Sequence, residues 1–444
     1  MDDLNRAIVD ILKREARPVT TAELGRLLAA EGRSASQPTL SRRLVALNGE
    51  RHVSSNQAGR GLVHRYDGYH DWFAQPPSKR PKVGYDPSML RGYEPNRTAW
   101  LSRQELARLH AAGGERRLDG STYARAIAQK LLVDLSYASS ALEGNTYSYL
   151  DTQVLIEFGQ AAEGKQASET QMILNHKEAI LYLVENIDDI IIDARELKTL
   201  HALLARGLLA DPNAVGGVRR RIVDIGGSAY VPMANPHQLE EELSLIAQKA
   251  AEIDEPFEQS MFLMVFVSYL QAFEDVNKRT ARLACNIPLL KGGIAPLSFM
   301  EMDKTAYVRG LLSVYELRRV DVLKDAFIEG YVRSAGLYDA YAARDRAEIE
   351  LEMRRRTDIY GAVAAYVRSV VEAGKPGDPG AYLSERFAGE EEPVRGVLIS
   401  RIRAIVDALH EGNHAAYGIS RKLYGEYEEI RAPLTADGGT TPKR

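Results

Sequence analysis

A mainly α-helical chain with small β-hairpin elements is predicted by three observations. Apolar residues recur at three- and four-residue spacing through most of the 444 residues. Two glycine-bounded stretches rich in β-branched residues lie near 52–66 and 222–231. With 45% hydrophobic and 27% charged residues, the chain is able to fill real cores, and its length allows two or three domains. Five segments are expected: a compact module at 1–68, a linker at 69–92, a helical domain at 93–335, a second helical region at 336–434 and a disordered tail at 435–444.

In the first segment, Leu4, Ile8, Ile11 and Leu12 repeat at helical spacing, and Thr21 is expected to cap a second helix through Leu24, Leu27 and Leu28. A third opens at Gln37-Pro38 and carries Leu40, Leu44 and Leu47 on one face. The periodicity then changes: His52-Val-Ser-Ser and Leu62-Val-His-Arg-Tyr66 flank a Gly-Arg-Gly turn, which predicts a two-stranded hairpin. Three short helices followed by such a hairpin resemble a winged helix-turn-helix. That resemblance implies a third helix in the DNA major groove, with Gln37, Thr39, Arg42 and Arg43 outward and Arg60 and Arg65 reaching phosphates from the hairpin. The same pattern fits a small dimerisation or protein-binding module with solvated arginines. A net charge of -4 and a pI near 6.2 give no global pull toward nucleic acid or anionic membrane, so any DNA contact requires a local basic face.

The stretch containing Gln75-Pro-Pro-Ser-Lys-Arg-Pro-Lys82 lacks periodicity and reads as a semi-rigid basic linker. The N-terminus carries no basic segment followed by an apolar run, so no signal peptide is expected. Met261 to Leu270 is too short to span a bilayer and reads as a buried helix. A single cysteine, Cys285, in an apolar helix fits a reducing cytoplasm and a core position. The nine histidines offer no pair at metal-ligand spacing, and His176 and His201 fall in helices among core residues.

The chemistry-bearing stretch is Gln271-Ala-Phe-Glu-Asp-Val-Asn-Lys-Arg-Thr-Ala-Arg282. A loop ending in Asp275 and Asn277 runs into an amphipathic helix, and a helix N-terminus is an anion site. Arg279 and Arg282 stand three residues apart on its first turn, with Asn277 as a neutral donor and Asp275 as a hard oxygen ligand suited to magnesium. Spacing alone leaves two readings, a polyphosphate cradle or a solvated helix cap.

This stretch resembles the signature of the Fic (Fido) family, H-x-F-x-[D/E]-G-N-[G/K]-R-x-x-R, with Phe273, Asp275, Asn277, Lys278, Arg279 and Arg282 in register. Two positions depart: Gln271 stands in place of the catalytic His, and Val276 in place of the usual Gly. The resemblance implies a Fic-fold helical core that holds ATP or a related nucleotide through Phe273, Asn277, Lys278, Arg279 and Arg282, with magnesium on Asp275. The family His takes a proton from the target hydroxyl, and a Gln amide cannot act as a base near neutral pH.

Two further segments carry the same resemblance. Ser139-Ser-Ala-Leu-Glu143-Gly-Asn145 is similar to the family's inhibitory motif, which implies a Glu143–Arg282 pair in the γ-phosphate seat and Ser139 holding the carboxylate. Gly217 to Pro232, with Ile222, Val223 and Ile225 followed by glycines, predicts a β-hairpin similar to the family flap, on which Ile225, Gly226 and Tyr230 would receive a protein target as an added strand. Within it, Arg219 to Arg221 face either phosphate or solvent. The region from Ala343 to Arg356 alternates charge along a solvated face, and helices of this kind support a homodimer or a partner contact. Two functions stay open: a nucleotide-binding, autoinhibited DNA regulator with a degenerate catalytic loop, or an active protein adenylyltransferase or Doc-like phosphotransferase.

Overall fold

The computed structural model describes residues 1–58, 61–113, 122–342, 351, 354–375, 377–392, 394–410 and 413–431. The chain divides into two compact units, one formed by 1–84 with 224–231 and the other by 85–223 with 232–444. The architecture is mainly α, as the apolar periodicity predicts.

In the first unit, helices span Asp3–Glu15, Thr21–Ala30 and Gln37–Gly49. Each begins at a side chain that accepts a first-turn N–H: Asp2 from Asn5, Thr20 from Glu23 and Ser36 from Thr39. The cap of the second helix is therefore Thr20 rather than Thr21, which is already helical. Their apolar faces, with Ile8, Ile11, Leu12, Leu24, Leu28, Leu40, Leu44 and Leu47, close one core with Val19 and Val53. Strands Val53–Ala58 and Gly61–Tyr66 pair antiparallel, and Val19–Thr20 adds a third strand in the order Val19–Thr20, Gly61–Tyr66, Val53–Ala58. His64 ties this sheet to the second helix, with Nε2 3.0 Å from the Thr21 hydroxyl and Nδ1 2.8 Å from that of Ser55.

The stretch expected as a semi-rigid linker without periodicity carries regular structure. It folds into a helix at Tyr69–Ala74 and a 3-10 turn at Pro77–Lys79, and the Arg80 guanidinium lies over the Phe73 ring. Aromatic residues flanking the prolines supply contact surface that a periodicity reading overlooks.

The expected hairpin at 217–232 is not formed. Only Tyr230–Val231 is extended, and it pairs in parallel with Val83–Gly84, while Ile225 and Gly226 lie in irregular chain and turn. An isolated two-stranded hairpin is marginal in water, and the double glycine at 226–227 weakens this one further.

The second unit is built around the helix Pro256–Leu270, whose residues from Ser260 to Leu270 are all buried. Being apolar on every side, it packs against Pro236–Glu252, Asn277–Ala284, Asn286–Lys291 and Lys304–Leu317. The boundary expected at 335 falls inside a continuous helix, Asp321–Ala342. Among the described residues of 356–431, four α-helices and a 3-10 turn at His414–Tyr417 surround their own core of Val363, Val367, Leu398, Ile402 and Tyr424. Arg356 pairs with Glu157 and lies over Phe158, which joins these helices to Tyr149–Phe158. Most of the alternating-charge stretch at 343–356, the tail from 435 and Arg60 lie outside the described residues. No helix among the described residues is long and apolar enough to cross a membrane.

Candidate nucleotide site at the signature loop

The loop between the buried helix and Asn277–Ala284 is bracketed by two left-handed residues, Gln271 at φ 52° and Val276 at φ 66°. The second explains why glycine suits that position. A β-branched residue there carries backbone strain of about 1–2 kcal/mol, and Val276 holds it while fully packed at 1% exposure. Other contacts enforce the turn. Asn277 accepts the Phe273 N–H through Oδ1 and donates to the Phe273 carbonyl through Nδ2, both at 2.9 Å. The side chain expected to bind nucleotide therefore staples the loop. Phe273 in turn stacks on His201, ring centroids 3.9 Å apart.

Arg219, left open between phosphate and solvent, has a third role. It is 1% exposed, donates through Nε to the Gln271 carbonyl at 2.7 Å, and bonds the carbonyls of Arg221 and Met233 as well. Its backbone N–H reaches the Ala272 carbonyl at 2.9 Å. A buried guanidinium clamping backbone oxygens was invisible in the sequence, because a run of three arginines does not say which one turns inward. Arg220 and Arg221 are both exposed, and Arg221 lies 3.8 Å from Glu274.

Gln271 is itself turned inward. Its Nε2 donates to the Ser268 carbonyl at 2.6 Å and lies 3.4 Å from the Tyr315 hydroxyl. The amide thus caps the end of the buried helix and offers no proton acceptor of useful basicity.

The signature helix gathers the charges. Arg282 is fully buried: Nε donates to the Ser139 hydroxyl at 2.8 Å, Nη2 to the Ser139 carbonyl at 3.1 Å and to Glu143 at 2.7 Å, and Nη1 faces the Tyr307 hydroxyl. Glu143 lies just past the helix Thr122–Leu142, where Gly144 at φ 93° turns the chain. Its second oxygen meets Lys278 at 2.9 Å. Burial opposes the charge on Glu143, but the Arg282 and Lys278 cations outweigh it and hold the carboxyl at about 2.

Ser139 does not hold that carboxylate as expected. Its hydroxyl accepts from Arg282 and lies 2.8 Å from His176 Nε2, while His176 Nδ1 lies 2.9 Å from the Met172 carbonyl. Only one tautomer satisfies this chain: Nδ1 donates to Met172, and Nε2 accepts from Ser139. Burial, with Arg279 and Arg282 nearby, pushes His176 down to about 3, so it stays neutral and orients Ser139. The helical spacing of His176 gave no sign of this partner, 37 residues away in sequence. The Lys278 contact did have a signal. Lys278 and Arg282 are four residues apart on one helix face, so one carboxylate can reach both.

A buried cation with donors to spare suits phosphate, and Arg279 is such a group. It is 5% exposed, pairs with Asp275 at 3.2 Å through Nη2, and leaves Nη1 buried without a hydrogen-bond partner. The Asp275 side chain is 68% exposed, and its carboxylate also caps the Val276 N–H. The donors of Lys278, Arg279 and Arg282 suit an anionic ligand, and the exposed Asp275 carboxylate suits a hard divalent cation.

In the first unit, Gln37 and Arg42 are exposed, Thr39 is partly covered, and Arg65 is exposed on the hairpin. Arg43 is not free as expected, since its guanidinium pairs with Asp2 at 2.5 Å. Ile225, Gly226 and Tyr230 group with the first unit, and Tyr230 is 2% exposed.

Residues 191–289 match the model of the Fic/DOC family. The chain carries a domain of that family, with the signature loop inside the match and the Ser139–Glu143 segment before it. Among curated relatives, it is 28% identical over 224 residues to the protein adenylyltransferase Fic of Nematostella vectensis, covering 47% of this chain and 51% of the relative. It is 24% identical to the protein adenylyltransferase fic-1 of Caenorhabditis elegans, covering 52% and 47%. The chain thus spans about half the length of these relatives. Among solved structures, C. elegans Fic-1 aligns over 54% of this chain and 71% of its own, at 20% identity and TM-score 0.43. A Fic family protein of Desulfovibrio desulfuricans aligns over 78% of this chain and 100% of its own, at 17% identity and TM-score 0.44.

Proposed function

We propose that this protein binds a purine nucleoside triphosphate with magnesium at the signature loop, is held closed by Glu143, and couples nucleotide occupancy to DNA binding rather than to efficient transfer. The observation that carries the reading is the Glu143 carboxylate seated between Lys278 and Arg282, beside an Arg279 with an unpaired buried donor. An anion already in that seat opposes an incoming phosphate by charge and by volume. Magnesium on Asp275 would neutralise phosphate charge when bound. Phe273 and Asn277 fix the loop, and Arg279 and Arg282 orient the anion.

Calorimetry with Mg-ATP tests this. Glu143→Gly is expected to tighten binding by about 5–150-fold, the usual range for a coupling between two competing states. Equal affinity in the two proteins would remove the inhibitory reading, and binding by neither would remove the site.

The DNA half of the proposal rests on the exposed face of Gln37–Gly49 together with Arg65. Arg42 is the unencumbered basic residue of that helix face, so Arg42→Ala should weaken salt-dependent binding by about 1–3 kcal/mol. Arg43→Ala should do less, because Arg43 must first give up Asp2. Retention of selected DNA fragments by Arg42→Ala as well as by the parent protein would contradict the groove assignment. The second reading, AMP transfer to a protein hydroxyl, is supported by the names of the relatives and opposed by the inward-turned Gln271.

A further inference from the structure

We propose that Lys278 is the switching cation of this site: it holds Glu143 when the site is closed and holds the terminal phosphate of a nucleoside triphosphate when the site is filled. The proposal rests on the nucleotide reading above and adds the residue that makes occupancy depend on the charge of that last phosphate.

Glu143 divides its two oxygens, one to Arg282 at 2.7 Å and one to Lys278 at 2.9 Å. The two cations differ in their freedom to move. Arg282 has a side chain 1% exposed and is tied to Ser139 through two further bonds, so it stays in place when Glu143 leaves. Lys278 has a side chain 41% exposed on a flexible four-carbon stem, and its ammonium can re-aim its donors. Departure of Glu143 therefore leaves one fixed and one mobile cation around the vacated seat, with the unpaired Nη1 of Arg279 in the same cluster. With Asp275 on Arg279, the two carboxylates Glu143 and Asp275 still leave the three cations balanced only in part. A terminal phosphate carries more charge and three acceptor oxygens, so it can satisfy the three donors together. A nucleoside monophosphate lacks that group and should gain little from Lys278.

The test is calorimetry on the full chain with Mg-ATP and with AMP, in the parent, Glu143→Gly, Lys278→Met and the double variant. In the Glu143→Gly background, losing Lys278 removes only a phosphate contact and should weaken ATP by about 10–150-fold, the range for a hydrogen bond to a charged group. In the parent background the same change also loosens Glu143, so the loss should be at least about fivefold smaller. AMP binding should change less than about threefold in either background, an allowance for indirect effects. Lys278→Arg keeps the charge and should retain more ATP binding than Lys278→Met in both backgrounds. Equal losses in the two backgrounds, no loss in either, or failure of Lys278→Arg to retain more binding than Lys278→Met would each overturn the role of Lys278 while leaving the site intact. Absence of ATP binding in all of the proteins, Glu143→Gly included, would instead remove the nucleotide reading itself.

Discussion

Glu143→Gly combined with Gln271→His is expected to label itself from ATP about 10²–10⁴-fold faster than Glu143→Gly alone, the usual contribution of a positioned general base. The argument starts at Gln271, whose amide donates to the Ser268 carbonyl at the end of the buried helix. An imidazole donating one N–H to that carbonyl leaves its other nitrogen bare, and this nitrogen can take a proton near neutral pH. Lys278, Arg279 and Arg282 are unchanged between the two variants, so the comparison isolates the base. Radiolabel from α-labelled ATP, followed on denaturing gels, gives the readout. Rapid labelling by the protein bearing Gln271 would overturn the regulator reading and require another base. His176 is unsuited to that role, being buried, neutral and committed to Ser139 and Met172.

Arg219→Leu should be the most destabilising single change in the loop region, at about 3 kcal/mol or more. The substitution leaves the carbonyls of Gln271, Arg221 and Met233 without a buried charged donor, and each orphaned acceptor costs about 1–3 kcal/mol. A urea titration should show a lower midpoint with an unchanged slope, the sign of lost stability without a change in exposed surface. Mg-ATP binding should weaken with it, because the same contact fixes the loop from Gln271 to Val276. A midpoint equal to that of the parent protein would mean that the carbonyls find other donors and that Arg219 is not the clamp.

The sequence by itself determined the helical class, the N-terminal core residues and the identity of the signature loop. Each of these depends on short-range pattern: apolar spacing along one helix and a run of twelve residues from Gln271 to Arg282. It also paired Glu143 with Arg282, through the resemblance of two separate motifs. Tertiary structure decided which way the individual polar groups point. Lys278 joins Glu143, Ser139 turns to Arg282 and His176 instead of the carboxylate, Asn277 closes its own loop, and Gln271 faces inward to Ser268. Ser139 meets partners 37 and 143 residues away, and Arg219 reaches Gln271 52 residues on, where no periodicity links them. A buried donor takes whichever acceptor the packing places beside it, since leaving that donor unmatched costs more than the net gain from a typical bond. The unformed hairpin at 217–232 has the same origin: β-branched residues state a preference for extended chain, and only a neighbouring strand supplies the hydrogen bonds that satisfy it.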